Sequence, residues 1–270
     1  MYIDSHAHMF YEDYRDDLGD VLRRAEEAGV LNIVVPGTTL ATSREAIVLA
    51  ERYNHIYACV GFHPHEASHA TESALREVEE LSHHPKVVAI GEIGLDFHYD
   101  FSPRDQQLRV FEEQIRIAIR RNLPIVVHTR ESIPESLALV RTLVSGDPGW
   151  RKSSPGEGTA LPAYRGVFHC FTGTAEECRQ LFSMGFLVSY PGIVTFKNSP
   201  VLETLRQIGF ENIMIETDSP YLAPVPLRGK RNEPSNVILV ARKLAEVFST
   251  TPEAIGNTTS SNAKILFGIN

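Results

Sequence analysis

Six side chains of two chemical kinds stand out by position. His6 and His8 lie one residue apart in "IDSHAH", Glu92 closes "VVAIGE", His128 closes "IVVH", His169 follows "GVF", and Asp218 sits in "IETDSP". In extended chain, residues i and i+2 share a face, which predicts Asp4, His6 and His8 as one polar row. Neutral imidazoles and carboxylates together are ligands for divalent ions. Each residue also has a plain structural reading. His128 and His169 can be core histidines bonded to backbone groups, Glu92 can cap a helix or pair with an arginine, and Asp218 can start a turn, since Asp-Ser-Pro is good turn chemistry.

The elements that would carry these residues alternate regularly. Strand candidates are residues 1–6, 32–37, 56–61, 87–92, 125–128, 166–170, 186–190 and 212–217, rich in Val and Ile and apolar nearly throughout. Such runs fit parallel strands buried on both faces. Helical patterns lie between them. Ser102-Pro103 ahead of Leu108, Phe111, Ile115, Ala118 and Ile119 predicts a capped amphipathic helix. Thr42 with Glu45 and Thr174 with Glu177 have capping-box spacing, and Thr251-Pro252 opens a last helix running towards Leu266. A strand and a helix in eightfold alternation predict an α/β fold, a (β/α)8 TIM barrel in one domain over residues 1–270. The rival, a doubly wound open sheet, lacks a G-x-G-x-x-G after its first strand. Residues 145–164, "SGDPGWRKSSPGEGTALPAY", read as a long inserted βα loop after the fifth strand.

On that map the singled-out residues all end strands, and the carboxyl-terminal rim is where barrel enzymes do their chemistry. The joint placement is hard to reach by unrelated structural accidents. Five or six ligands exceed what one tetrahedral ion uses, so a pair of cations sharing a carboxylate is the economical reading. The donor mix suits Zn, Mn or Co better than Mg alone. His63, in "GFHPH", follows the third strand, with His65 nearby; Cys170 is expected on the opposite face from His169, as core filler. His55, His69, His83 and His84 have no rim position.

The bulk properties narrow the class. The chain has 270 residues, 43% hydrophobic, with a formal net charge of −8, which argues against a broad basic face for coating nucleic acid. It leaves room for a phosphate substrate, because bound cations invert the local field. Cys59, Cys170 and Cys178 form no C-x-x-C pair, and no long apolar segment is present, so a cytoplasmic protein without a membrane span or obligate protein partner is expected.

The stretches "IDSHAH", "GFHPH", "IGEIGLDFHYDFSPRDQQ", "LPIVVHTRE", "GVFHCFTG", "IETDSPYLAP" and "RGKRNEPSNV", in this order along the whole chain, resemble the TatD family of metal-dependent hydrolases, amidohydrolase-like barrels. The resemblance implies a centre of two divalent cations (Mg, Mn, Zn, Co or Ni). His6, His8, Glu92 and Asp218 would hold one, and Glu92 would bridge to a second held by His128 and His169. It also implies metal-dependent DNase activity that trims DNA from the 3′ end, with single strands or 3′ ends as substrate, and it places His63 close to the scissile phosphate. Asp218 is expected to act as both ligand and base, with Glu92 the second catalytic carboxylate. Arg130, Arg228, Lys230 and Arg231 are candidates for phosphate contacts, and Phe97, Tyr99, Phe171 and Tyr221 for stacking on bases. Two rivals keep the metals: a hydrolase of esters, lactones or aminoacyl esters, and a metal-bearing binding protein without turnover.

Overall fold

The computed structural model describes residues 1–151 and 164–270. Eight strands, β1 (Tyr2–Asp4), β2 (Val30–Pro36), β3 (Ile56–Val60), β4 (Val87–Asp96), β5 (Ile125–Arg130), β6 (Gly166–Phe168), β7 (Phe186–Tyr190) and β8 (Ile213–Ile215), pair in parallel in sequence order. Among the described residues, helices α1 (Leu18–Glu27), α2 (Leu40–Arg52), α3 (Glu72–Leu81), α4 (Arg104–Arg121), α5 (Ile133–Gly146), α6 (Ala175–Ser183) and α7 (Val201–Ile208) return the chain between strands, and α8 (Val237–Phe248) and α9 (Pro252–Phe267) follow β8. This is the expected (β/α)8 barrel. The β1–β8 seam is closed without a ladder, by an isolated Ala7–Ser219 bridge and by backbone bonds from Ser5 N to Ile215 O, His8 N to Ser219 O and Asp218 N to His6 O.

Alternation along the strands fills the interior. Ile3, Val34, Cys59, Ala89, Val126, Val167, Leu187 and Met214 form one buried cluster with Leu266, Phe267 and Ile269 at the end of the chain. The neighbouring strand residues Ile33, Val35, Val127, Phe168 and Ile213 belong to the second cluster, with the buried faces of the surrounding helices. The same parity carries the chain on to the site. Two residues beyond Val126 and Val167 stand His128 and His169, so apolar packing below sets the direction of polar side chains above.

Several local expectations are revised. β1 stops at Asp4, so the polar row breaks. The Asp4 carboxylate accepts from Thr217 N (2.9 Å) and Oγ1 (2.6 Å) and fastens the seam. The α2 capping box uses Thr39 and Thr42 in place of Thr42 and Glu45; the Thr174–Glu177 box on α6 and the Thr251 cap on α9 form as expected. Pro103 is itself the N-cap of α4, and the Ser102 hydroxyl donates to His65 O at 2.7 Å. The 145–164 segment begins in the last turn of α5 and precedes β6. It is an αβ connection, not a βα loop, and so it leaves from the rim opposite the strand ends singled out above; residues 152–163 lie outside the described residues. Trp150 at its start is buried, donating Nε1–H to Leu123 O at 2.9 Å. No described helix is long and apolar enough to cross a membrane.

Candidate metal centre

At the carboxyl-terminal rim the six singled-out side chains meet around one carboxylate. Glu92 is 3% exposed in its side chain, and its two oxygens face different partners. Oε2 lies 3.3 Å from His6 Nε2 and 3.6 Å from His8 Nε2. Oε1 lies 2.9 Å from His169 Nε2, 3.1 Å from His128 Nδ1 and 3.5 Å from His63 Nε2. Asp218 closes the first set, with Oδ1 3.8 Å from His6 Nε2 and 3.7 Å from His8 Nε2. His63 borders the cluster: its Nδ1 accepts from His65 N at 3.2 Å, so Nε2 carries the proton and faces Glu92 as an N–H donor.

These spacings fit a divalent ion. Ligand atoms held about 2.1 Å from a tetrahedral or octahedral centre lie about 3.0–3.4 Å from one another. The ring orientations agree. His8 Nδ1 is 3.2 Å from Pro36 O; a carbonyl only accepts, so the proton sits on Nδ1 and a bare Nε2 faces Glu92. His128 stands between two carboxylates, with Nε2 3.1 Å from Asp96 Oδ2 and Nδ1 turned inward, 3.1 Å from Glu92 Oε1. His169 Nδ1 is turned towards Glu216 Oε1 at 3.6 Å, and His6 Nδ1 is buried without a partner. Bare nitrogens facing a carboxylate across about 3 Å are what a cation would complete.

The electrostatics follow from packing acids and imidazoles in a dry cavity. Burial alone would raise the Glu92 pKa, but His169, His63 and His6 hold it well below the usual carboxylate range. Burial lowers the His8 pKa to about 3, helped by the neighbouring His6. His169 is likewise pulled down by burial, yet Glu92 and Glu216 outweigh that and raise it well above the ordinary histidine value. Asp218 is raised to about 6, by burial first, against the attraction of His6 and His169. It takes a left-handed backbone (φ 55°), which Asp tolerates better than most residues. Gly94 makes the approach of β4 to β5 possible: a Cβ there would meet His128 O at 2.1 Å.

Sequence reasoning passed over three polar supports. Asp96, at the end of β4, and Glu216, beyond β8, are buried partners of His128 and His169. Asn232 holds the loop after β8, its Nδ2 donating to Thr217 O (2.9 Å) and Tyr221 O (2.7 Å). Glu216 was readable from parity, since Met214, Glu216 and Asp218 alternate like Val126 and His128. Cys170 has φ 46°, because β6 has ended; it leaves strand alternation, and its N–H donates to Glu216 Oε1 at 2.7 Å.

Around the cluster the candidate substrate residues divide. Arg130 is exposed, its guanidinium 4.7 Å from the Tyr99 ring centre. Arg228 lies 3.7 Å over Phe196, and Lys230 is exposed. Arg231 is corrected: its fork pairs with Asp17 at 2.8 and 2.6 Å and packs on Tyr14, so it fastens the β8 loop to the turn before α1. Phe97 and Phe171 are buried, whereas Tyr99 is 40% and Tyr221 54% exposed. Only the tyrosines can offer a face to a base.

The family model for TatD related DNase matches residues 3–268. The chain is 43% identical over 271 residues to the uncharacterized metal-dependent hydrolase YabD of Bacillus subtilis, covering 100% of both chains. It is 34% identical over 262 residues to the 3′-5′ ssDNA/RNA exonuclease TatD of Escherichia coli K12, covering 95% of each. The crystal structure of YJJV, a TatD homolog from Escherichia coli K12, is similar with a TM-score of 0.88 at 25% identity, over 100% of this chain and 98% of that one. With the rim cluster and a match from end to end, the chain belongs to the TatD-related DNase family and is a metal-dependent hydrolase.

Proposed function

We propose that this hydrolase cleaves phosphodiester bonds of single-stranded DNA from the 3′ end, at a centre of two divalent cations. The observation that carries the reading is Glu92, whose two oxygens face separate donor sets. One set is His6, His8 and Asp218, the other His128 and His169, with Glu92 shared. Bound divalent cations supply positive charge to the phosphoryl oxygens and acidify water.

The protein's own groups do the rest. Asp218 has a 14% exposed side chain, whereas His6 is fully buried; it stands on the open side and takes the proton from the attacking water as the P–O bond to the leaving sugar oxygen breaks. His63, 12% exposed, donates to a non-bridging oxygen from the same side. Arg130, Arg228 and Lys230 hold flanking phosphates. The acidic net charge is no obstacle, because these cations and the ions are concentrated at the rim. The related TatD exonuclease is named for both ssDNA and RNA, so RNA strands belong in the assay.

Metal analysis of the purified chain is expected to find up to two divalent ions per molecule. A chelator abolishes cleavage of labelled oligonucleotides and added Mg, Mn, Zn, Co or Ni restores it. A 5′-labelled strand then shortens stepwise, while a 3′-labelled strand loses its label at once. Chelator-resistant cleavage, or hydrolysis of lactones and esters with none of oligonucleotides, overturns the reading.

Tyr99 stands near His65 (ring centres 5.5 Å apart) and Tyr221 near His8 (6.5 Å). Base stacking is worth about 1–3 kcal/mol. Tyr99→Ala or Tyr221→Ala should therefore raise KM for oligonucleotides about tenfold and leave hydrolysis of methyl p-nitrophenyl phosphate within twofold. Equal losses on both substrates would show that the rings support the fold instead.

A further inference from the structure

Asp96 ends β4 and is 1% exposed, and its carboxylate gathers four donors. Oδ1 accepts the backbone N–H groups of His98 (3.0 Å) and Tyr99 (3.2 Å). Oδ2 lies 2.9 Å from His65 Nε2 and 3.1 Å from His128 Nε2. The Asp96 backbone is itself clamped: Gln107 Oε1 accepts from its N–H at 2.9 Å, and Gln107 Nε2 donates to its carbonyl at 3.0 Å. An ionised carboxylate offers acceptors only. The backbone donors take one oxygen, so both imidazoles present an N–H to the other.

We propose that Asp96 is a positioning residue for the metal centre: by keeping the proton of His128 on Nε2, it turns a bare Nδ1 towards Glu92. This rests on reading His128 as a ligand. His8 obtains the same service from Pro36 O, whereas His169 Nδ1, 3.6 Å from Glu216 Oε1, has no hydrogen-bond partner. Asp96 differs from Pro36 O in serving two rings, and in tying the ligand to the turn that carries Tyr99.

Asp96→Asn separates this role from packing, because it keeps the shape and changes one acceptor into a donor. The backbone N–H groups of His98 and Tyr99 still require an oxygen, so the amide NH2 falls where Oδ2 stood. His128 and His65 must then meet it with a bare Nε2. The His128 proton moves to Nδ1, pointing at Glu92 and occupying the lone pair that would bind an ion.

Two-bond 1H–15N correlation on metal-free protein with 15N-labelled histidine, at a pH where the ring is neutral, reads this directly. Wild-type His128 is expected with its proton on Nε2, and the Asp96→Asn protein with its proton on Nδ1. Calorimetric titration with Mn2+ should show one ion site weakened about 10–100-fold and the other unchanged within threefold. His65→Ala leaves the Asp96–His128 bond in place and should keep both affinities. A wild-type ring protonated on Nδ1 overturns the proposal without any variant, whether or not Asp96→Asn folds. So does an Asp96→Asn protein with wild-type affinities, or a His65→Ala protein that loses an ion to the same extent. No nucleic acid enters these measurements, so failure of the substrate reading would show separately, as an enzyme that binds ions and leaves oligonucleotides intact.

Discussion

Asp218→Asn is expected to give a folded, ion-loaded barrel whose turnover of single-stranded DNA falls about a thousandfold, within the 10²–10⁴ typical of losing a general base. The substitution is nearly isosteric, and Asn accepts the left-handed φ of 55° as readily as Asp. The backbone bonds at this position, Asp218 N to His6 O and Tyr221 N to Asp218 O, do not involve the changed atoms. An amide oxygen still offers a lone pair towards His6 and His8. What disappears is a proton acceptor on the open side of the cluster, where burial has already raised the carboxyl to about 6. The loss should therefore fall on kcat, with KM and ion content close to wild type. Metal content, a thermal melt and steady-state rates on a 5′-labelled strand check the three parts together. Cleavage at the wild-type rate would remove Asp218 as the base.

The fold was legible because each strand is a short apolar run and each return is helical, a pattern with few alternatives at this length. The six-residue cluster was legible for a related reason. An acid or imidazole directly after a buried strand must lie at a rim, and eight parallel strands bring all such rims to one end. What escaped depends on where a strand stops. Reading β4 to end at Glu92 hid Asp96, four residues further along the same strand, and with it the partner of His128. Reading β6 through residue 170 put Cys170 on the wrong face, since the ladder ends at Phe168. Aromatic type carries no sign of burial, so Phe171, in the core, and Tyr221, in solvent, looked equivalent.

Two further misreadings came from local composition outrunning topology. The 145–164 segment is rich in Gly, Pro and Ser and looks like a loop, although Ser145 and Gly146 still belong to α5 and only residues 147–151 leave the helix at that end. Most of α5 lies before it, and counting that helix places the segment at the rim away from the site. Arg231 sits in a basic run beyond β8, and only the structure reveals Asp17 within 2.6 Å. A pairing across more than two hundred residues of chain has no local signature. Buried polar supports such as Asp4, Asn232 and Glu216 share that property: they satisfy backbone and hydroxyl groups that only the closed barrel brings near them.

Glu92→Gln should have the largest effect on ion binding. A carboxylate can face two sets of donors with equal oxygens, but an amide has one oxygen and one NH2. The NH2 would point either at His6 and His8 or at His128 and His169, and it would meet bare nitrogens as a donor. The negative charge between the sets would also be gone. At most one ion per chain should then be retained, and oligonucleotide cleavage should fall to background. Stability supplies a readout independent of turnover. Saturating ion at about 100 times its Kd stabilises a folded chain by about 2.7 kcal/mol per site, so wild-type Tm should climb on adding Mn2+ and the Glu92→Gln Tm should climb far less. The metal-free variant need not melt early, because a neutral amide among imidazoles loses less hydration on burial than a carboxylate does. Two ions retained with a wild-type Tm rise would mean that Glu92 is not shared, and each donor set would then have to stand as a separate site.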